Sequence, residues 1–202
     1  MLTLSKTYVH SVLAGMMIGL AGTTYLSVDN KIIGSALFSF GLITIVVRSW
    51  SLYTGKVGAL KLTEKGNLPY IITMLVGNCF GTLLIAFAVR ISRIGDNLIP
   101  IATQLWQNKI NDSWYSILIL SILCGIMMQL AVDSYKHPNE EHLILIAIPV
   151  MFFILCSYEH SIANIFYMNL AVFYSLKSFG YIILMITGNA IGAKFVHYLS
   201  IN

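Results

Sequence analysis

Apolar runs of about 20 residues, parted by short polar turns, leave this chain few folds to choose from, because that length crosses a hydrocarbon core of about 30 Å as a helix. Val9 to Val28 is the first such run, and it ends at Asp29-Asn30-Lys31. Pro69, well suited to a first helical turn, opens a second that reaches Val89 and closes at Arg90 and Arg93. Tyr115 to Val132 and Tyr181 to Tyr198 are two more. With 57% hydrophobic residues, 10% charged residues and a mean hydropathy of +0.81, the composition is that of an integral membrane protein, and all-α among the structures a bilayer allows. Met1 to Tyr8 holds one lysine and no small-residue cleavage site, so the first run reads as a span and not as a removable signal. The net charge of +4 is scattered over segment ends and loops, which excludes a basic footprint for nucleic acid.

Two further runs are too short to cross comfortably. Leu143 to Cys156 gives way to Tyr158-Glu159-His160-Ser161-Ile162-Ala163-Asn164, and Ile162 to Phe173 is apolar again. From Leu143 to Leu176 nothing but Glu159 is formally charged. A carboxylate beside an imidazole inside a membrane is a functional-site candidate by default, and two half-spans around a polar break are the pattern of a discontinuous helix. Ile32 to Val47 likewise meets Arg48-Ser49-Trp50-Ser51-Leu52-Tyr53-Thr54-Gly55-Lys56. There the helix either ends at the interface, with Trp50 and Tyr53 in the aromatic belt and Arg48 snorkelling, or is itself broken.

The remaining segments are plainer. Ile94 to Trp114 mixes Asp96, Asn97, Pro100, Trp106, Lys109 and Asp112 with aliphatics and predicts an interfacial or re-entrant connection. Asp133 to His142 is the most polar stretch; His137, His142, Glu140 and Glu141 read as a solvated loop and not as metal ligands, because Pro138 breaks the helical spacing that would gather them. Cys79, Cys124 and Cys156, like Met127 and Met128, are packing residues, and His10 and His197 sit near span ends.

An internal repeat decides between the two readings of Arg48 to Gly55. Gly77-Asn78-Cys79-Phe80-Gly81 recurs as Gly188-Asn189-Ala190-Ile191-Gly192, an offset of 111 positions (188 less 77). Gly15-Met16-Met17 and Gly125-Ile126-Met127 stand 110 apart (125 less 15), and a shift of 111 sets Tyr53 against Asn164. Two repeats of three spans follow, each with an interrupted middle helix, and an odd number of crossings makes the halves inverted. The fold expected is six transmembrane helices in an aquaporin-like arrangement, helices two and five interrupted, with residues 1–202 as a single transmembrane channel domain.

These residues resemble the formate/nitrite transporter family of small-anion channels, which includes a hydrosulfide branch. Glu159-His160-Ser161-Ile162-Ala163-Asn164 is similar to the signature of its fifth helix, Phe38-Ser39-Phe40-Gly41-Leu42 and Leu52-Tyr53-Thr54-Gly55 to its second helix and interrupting loop, and the two GNxxG motifs to its third and sixth helices. The resemblance implies a homopentamer with one pore per protomer, in the lipid of a prokaryotic plasma membrane, passing small monovalent anions with protons and using no cofactor or metal. It implies His160 as the pore histidine, supported by Glu159 and Asn164 and faced by Thr54; Leu42 and Phe153 at one constriction with Phe38 nearby, and Leu52 at the other; and Lys109 as a vestibule lysine that draws anions in. Trp50 and Ser51, with Arg48 shortly before, depart from the small and acidic pair usual ahead of the loop, Gly125 replaces an asparagine in the family's Leu-Cys-Asn, and the chain is short for the family.

The chemistry expected is an anion gathered by Lys109 and given a hydrogen bond or a proton by His160, so that an uncharged species crosses the apolar rings. A pore for water, ammonia or a small alcohol is the alternative, although the Asn-Pro-Ala tripeptide of aquaporins occurs nowhere. A membrane enzyme using Glu159 and His160 as acid and base lacks an accompanying nucleophile motif, metal-ligand set or nucleotide loop.

Overall fold

The computed structural model describes residues 3–61, 63–135 and 142–201, and those residues form helices and turns without a strand. The polar loop 136–141, with its expected solvated turn, lies outside them. Helix α1 (Leu4–Leu26) starts at Thr3, whose hydroxyl accepts from the Lys6 N–H. Helix α2 (Lys31–Val47) starts at Asn30, whose Oδ1 accepts from the N–H groups of Ile32 and Ile33 at 3.0 and 3.1 Å. Then come α3 (Tyr53–Lys56) with a 3-10 turn (Val57–Ala59), α4 (Asn67–Arg90), α5 (Gly95–Ile110), α6 (Trp114–Ser134), α7 (His142–Leu155), α8 (Ser161–Ala171) and α9 (Leu176–Ile201). Four segments, Leu4–Leu26, Asn67–Arg90, Trp114–Ser134 and Leu176–Ser200, are long and apolar enough to cross a membrane.

The two short apolar helices stop by the same device. At the end of α2 the Trp50 N–H reaches back to the Ile45 carbonyl at 2.9 Å and the Ser49 N–H to that of Val46, with Ser49 in the left-handed region at φ 55°. At the end of α7 the Tyr158 N–H bonds the Phe153 carbonyl at 2.8 Å and the Ser157 N–H that of Ile154, with Ser157 at φ 56°. Both are Schellman turns, which satisfy the last carbonyls of a helix and forbid its continuation.

The two halves pack alike. The most extensive contacts join α1 to α4 and, correspondingly, α6 to α9; α1 also packs on α2 as α6 does on α7. Between the halves α2 lies against α7, α8 against α4, and the 3-10 turn against α9. Gly15 and Gly125 set the closeness of the long pairs. A Cβ on Gly15 would stand 2.2 Å from the Asn78 carbonyl oxygen, and one on Gly125 2.3 Å from that of Asn189.

One detail of the repeat is corrected. The offset of 110 to 111 holds along the long helices, but the breaks align at 108: Ser49 matches Ser157, and Tyr53 matches Ser161, not Asn164 (161 less 53). Loop lengths on either side of the breaks differ between the halves, so a single offset cannot run through all three elements. The connection expected between Ile94 and Trp114 is a 16-residue helix, α5, burying Leu98, Ala102, Trp106 and Ile110 at steps of four residues.

Candidate functional site

Helix α8 lies at the centre, with every residue from Ser161 to Leu170 buried, and both its ends are held by side chains from elsewhere. At its far end Arg90 Nη1 donates to the Leu170 carbonyl at 2.6 Å. At its start Asn189 of α9 clamps the break: its Oδ1 accepts from the Ser161 N–H, and its Nδ2 donates to the carbonyls of Glu159 and Ser121, all at 2.8 Å. Asn78 of α4 repeats the clamp in the first half, accepting from the Tyr53 N–H at 2.9 Å and donating to Ser51 and Ser11 carbonyls at 2.9 and 2.8 Å. Buried backbone outside a helix must have its polar groups satisfied, and these amides do it. In the sequence both asparagines stand out only as repeat markers, through their recurrence in GNxxG.

His160, next to the clamp, is 2% exposed and is the N-cap of α8. Its Nδ1 accepts from the Ala163 N–H at 3.1 Å, and its Nε2 stands 2.8 Å from Thr54 Oγ1. Because Nδ1 is occupied as an acceptor, a neutral ring carries its proton on Nε2, which donates to the Thr54 hydroxyl. Phe153 stacks on the imidazole at a centroid distance of 5.6 Å, and Phe38 meets Phe153 edge-on at 6.3 Å. By the pairing of the breaks, the residue of the first half that corresponds to His160 is Leu52.

Glu159, also buried, turns away from Thr54. Its Oε2 accepts from Lys109 Nζ at 2.6 Å and from Asn164 Nδ2 at 2.8 Å. Helix α5 packs on α8 and so delivers Lys109 to this carboxylate. Asn164 gives its other Nδ2 proton to the His160 carbonyl at 3.0 Å, while its buried Oδ1 has no hydrogen-bond partner among the described residues. Lys109 therefore stands as half of a largely buried ion pair.

Two partly open cavities flank the Thr54–His160 bond. One, of about 290 Å³, is bordered by Phe38, Phe153, His160, Glu159, Asn164 and Lys109, with Tyr25 and Tyr167 as further hydroxyl-bearing walls. The other, of about 190 Å³, is bordered by Leu42, Leu52, Gly55 and Lys56. Of the residues singled out from sequence, Phe38 and Phe153 thus face the first cavity and Leu42 and Leu52 the second. Thr54 is buried at the join, its neighbours Leu52 and Gly55 on the second cavity and its hydrogen-bond partner His160 on the first. Gly125, where the resemblance led to an asparagine, faces the Asn189 backbone in the α6–α9 contact and borders neither cavity.

Among the described residues the chain is a helical bundle with four segments long and apolar enough to cross a membrane and a buried histidine at its centre, the build of a multi-pass membrane protein. Residues 1–201 match the formate/nitrite transporter family, and the chain belongs to it. It is 27% identical over 191 residues to the formate channel FocA of Haemophilus influenzae (82% of this chain, 66% of the relative). FocA of Escherichia coli K12 is 25% identical over 193 residues (83% and 66%). The uncharacterized transporter YrhG of Bacillus subtilis is 28% identical over 181 residues (81% and 67%). The chain thus spans 66% of the length of the two FocA proteins. Among solved structures, a pentameric formate channel with formate bound superposes with a TM-score of 0.85 at 22% identity, over 98% of this chain and 96% of that one. An FNT family ion channel does so at 0.84 and 21%, over 97% and 88%. At these identities the likeness establishes the fold.

Proposed function

We propose that this chain is one protomer of a channel, in a prokaryotic plasma membrane, for small monovalent anions of the formate and nitrite type or their conjugate acids. The supporting observation is the buried His160–Thr54 pair at the junction of two cavities, with Phe38 and Phe153 on one side and Leu42 and Leu52 on the other. The reading takes the six-span, inverted-repeat arrangement, with α2–α3 and α7–α8 as the interrupted helices and residues 1–202 as one channel domain. A homopentamer in lipid is its assembled form, expected to run in detergent at about five times the 22.4 kDa of the chain after the detergent is subtracted.

An anion entering the first cavity pays to leave water, and the apolar side chains around Phe153 offer it nothing in return. Near His160 it exchanges that loss for the Nε2–H, otherwise donated to Thr54 Oγ1, and for the proton of the Thr54 hydroxyl. In the capped geometry the imidazole acts as a hydrogen-bond donor; to pass a proton on, the ring must first be cationic, and that requires Nδ1 to give up the Ala163 N–H. Proton and anion then move together as the acid, with His160 holding the oxygen of the passing species while it sheds water. Glu159, paired with Lys109 and Asn164, holds the break and fixes the field around the ring without meeting the substrate first.

The test is uptake of formate, nitrite, hydrosulfide, acetate and lactate into proteoliposomes at two pH values. His160→Phe should lower formate uptake about tenfold to a hundredfold, the loss expected for a hydrogen bond to a charged group worth about 1.5–3 kcal/mol. Unchanged rate and pH dependence in this variant would overturn the mechanism. Water or ammonia flux without any anion dependence in the unaltered protein would make the pore one for neutral solutes.

A further inference from the structure

Each cavity holds one lysine, and the two are not equivalent. Lys109 in the first is committed to Glu159 at 2.6 Å, so the pair presents little net charge to an arriving anion. Lys56 borders the second cavity, half-buried, and among the described residues its ammonium donates to two hydroxyls, Ser51 Oγ at 3.4 Å and Tyr70 OH at 3.3 Å, themselves 3.4 Å apart. These are long contacts for N–H···O bonds, whose usual range is about 2.7–3.2 Å, and a hydroxyl does not cancel a charge. No carboxylate among the described residues pairs with it. A partly desolvated ammonium with two weak acceptors and a third donor to place is a poor structural element and a good receptor for a small anion.

Resting on the channel reading above, we propose that Lys56, with Ser51 and Tyr70 behind it, is the anion-recruiting site of the second cavity. Lys56 lies two residues beyond Thr54 on the same short helix, and it shares the lining of the second cavity with Leu52 and Gly55, the residues on either side of the Tyr53–Thr54 pair. The vestibule role expected for Lys109 in the first cavity thus has a counterpart in the second that carries a less compensated charge. Selectivity at this mouth is for monovalent anions small enough for a space of about 190 Å³.

The test uses the full chain in vesicles of neutral phosphatidylcholine, with formate applied to each membrane face in turn and uptake followed as a function of its concentration. Lys56→Gln should raise the half-saturating concentration about tenfold from one face, equivalent to about 1.4 kcal/mol, and leave the other face unchanged. Lys56→Arg, which keeps the charge, should stay within about threefold of the unaltered protein. An unchanged value on both faces, an equal rise on both, or a Lys56 effect that appears only when anionic lipid is added overturns the inference, the last by making the headgroup phosphate the ligand. Should Lys56→Gln not assemble, the unaltered protein still decides. Recruitment makes half-saturation rise with ionic strength on that face alone, and a flat dependence on both faces overturns it. Absence of formate uptake in the unaltered protein defeats the channel reading and this inference with it, whereas normal uptake with an indifferent Lys56→Gln defeats the inference alone.

Discussion

Lys109 and Glu159 have exchanged hydration for one short bond and the Asn164 amide, and such a bargain is lost when either partner goes. Glu159→Gln leaves a largely buried ammonium, and Lys109→Met a buried carboxylate; each should cost about 2–3 kcal/mol, below the usual range for a fully buried pair because the lysine side chain is 15% exposed. The double variant should be more stable than the sum of the two losses implies, read as thermal unfolding midpoints in one detergent; additive losses would mean that the pair is not coupled. Val172 is the opposite case, a residue that works against its own position. It closes α8 in the left-handed region at φ 50°, where a β-branched side chain crowds its own backbone. Val172→Gly should raise stability by about 1 kcal/mol, since the strain relieved exceeds the chain entropy that glycine adds. A lowered midpoint would show that the exposed isopropyl group contributes more than the strain costs.

At the scale of elements the breaks are made by backbone turns and kept by two amides. Asn189→Asp retains the acceptor for the Ser161 N–H but loses both donors, and it puts a carboxylate against the carbonyls of Glu159 and Ser121. The expected loss is about 3 kcal/mol, with Asn78→Asp comparable because its three bonds are the same. Formate uptake by whatever protein assembles should suffer more from the change at Asn189, which sits behind His160. Equal stability of Asn189→Asp and the unaltered protein would sink the clamp. The existence and order of these elements were legible in the sequence because apolar length and the GNxxG recurrence are long-range signals. The register of the breaks was not: it depends on loop lengths, which repeats do not preserve, so Tyr53 was matched three residues away from its true partner. Helix α5 was hidden by Pro100 and its charges, although Leu98, Ala102, Trp106 and Ile110 mark its buried face. The site residues were legible one by one, but the ion pair joining Lys109 to Glu159 crosses 50 positions and needs the packing of α5 on α8 to be seen.

Across the whole molecule the packing is twofold and the chemistry is not. Equivalent glycines stand against equivalent asparagines and equivalent turns end equivalent helices, yet where the second half carries His160 the first carries Leu52, an N-cap with no side-chain hydrogen bond. The leucine-capped break in the first half is buried and well packed, so a histidine is not required to build such a break. Stability and transport should therefore separate. Replacing His160 by Leu and its partner Thr54 by Val gives the second break the apolar character of the first and removes both members of the central hydrogen bond, so that neither is left without the other. The cost is the cap on Ala163, about 1 kcal/mol, offset in part by apolar burial. The double variant should assemble with a thermal midpoint close to that of the unaltered protein, while formate uptake falls to the background of empty vesicles. Uptake at the unaltered rate would mean that the apolar rings alone suffice for passage, and that His160 is an N-cap and nothing more.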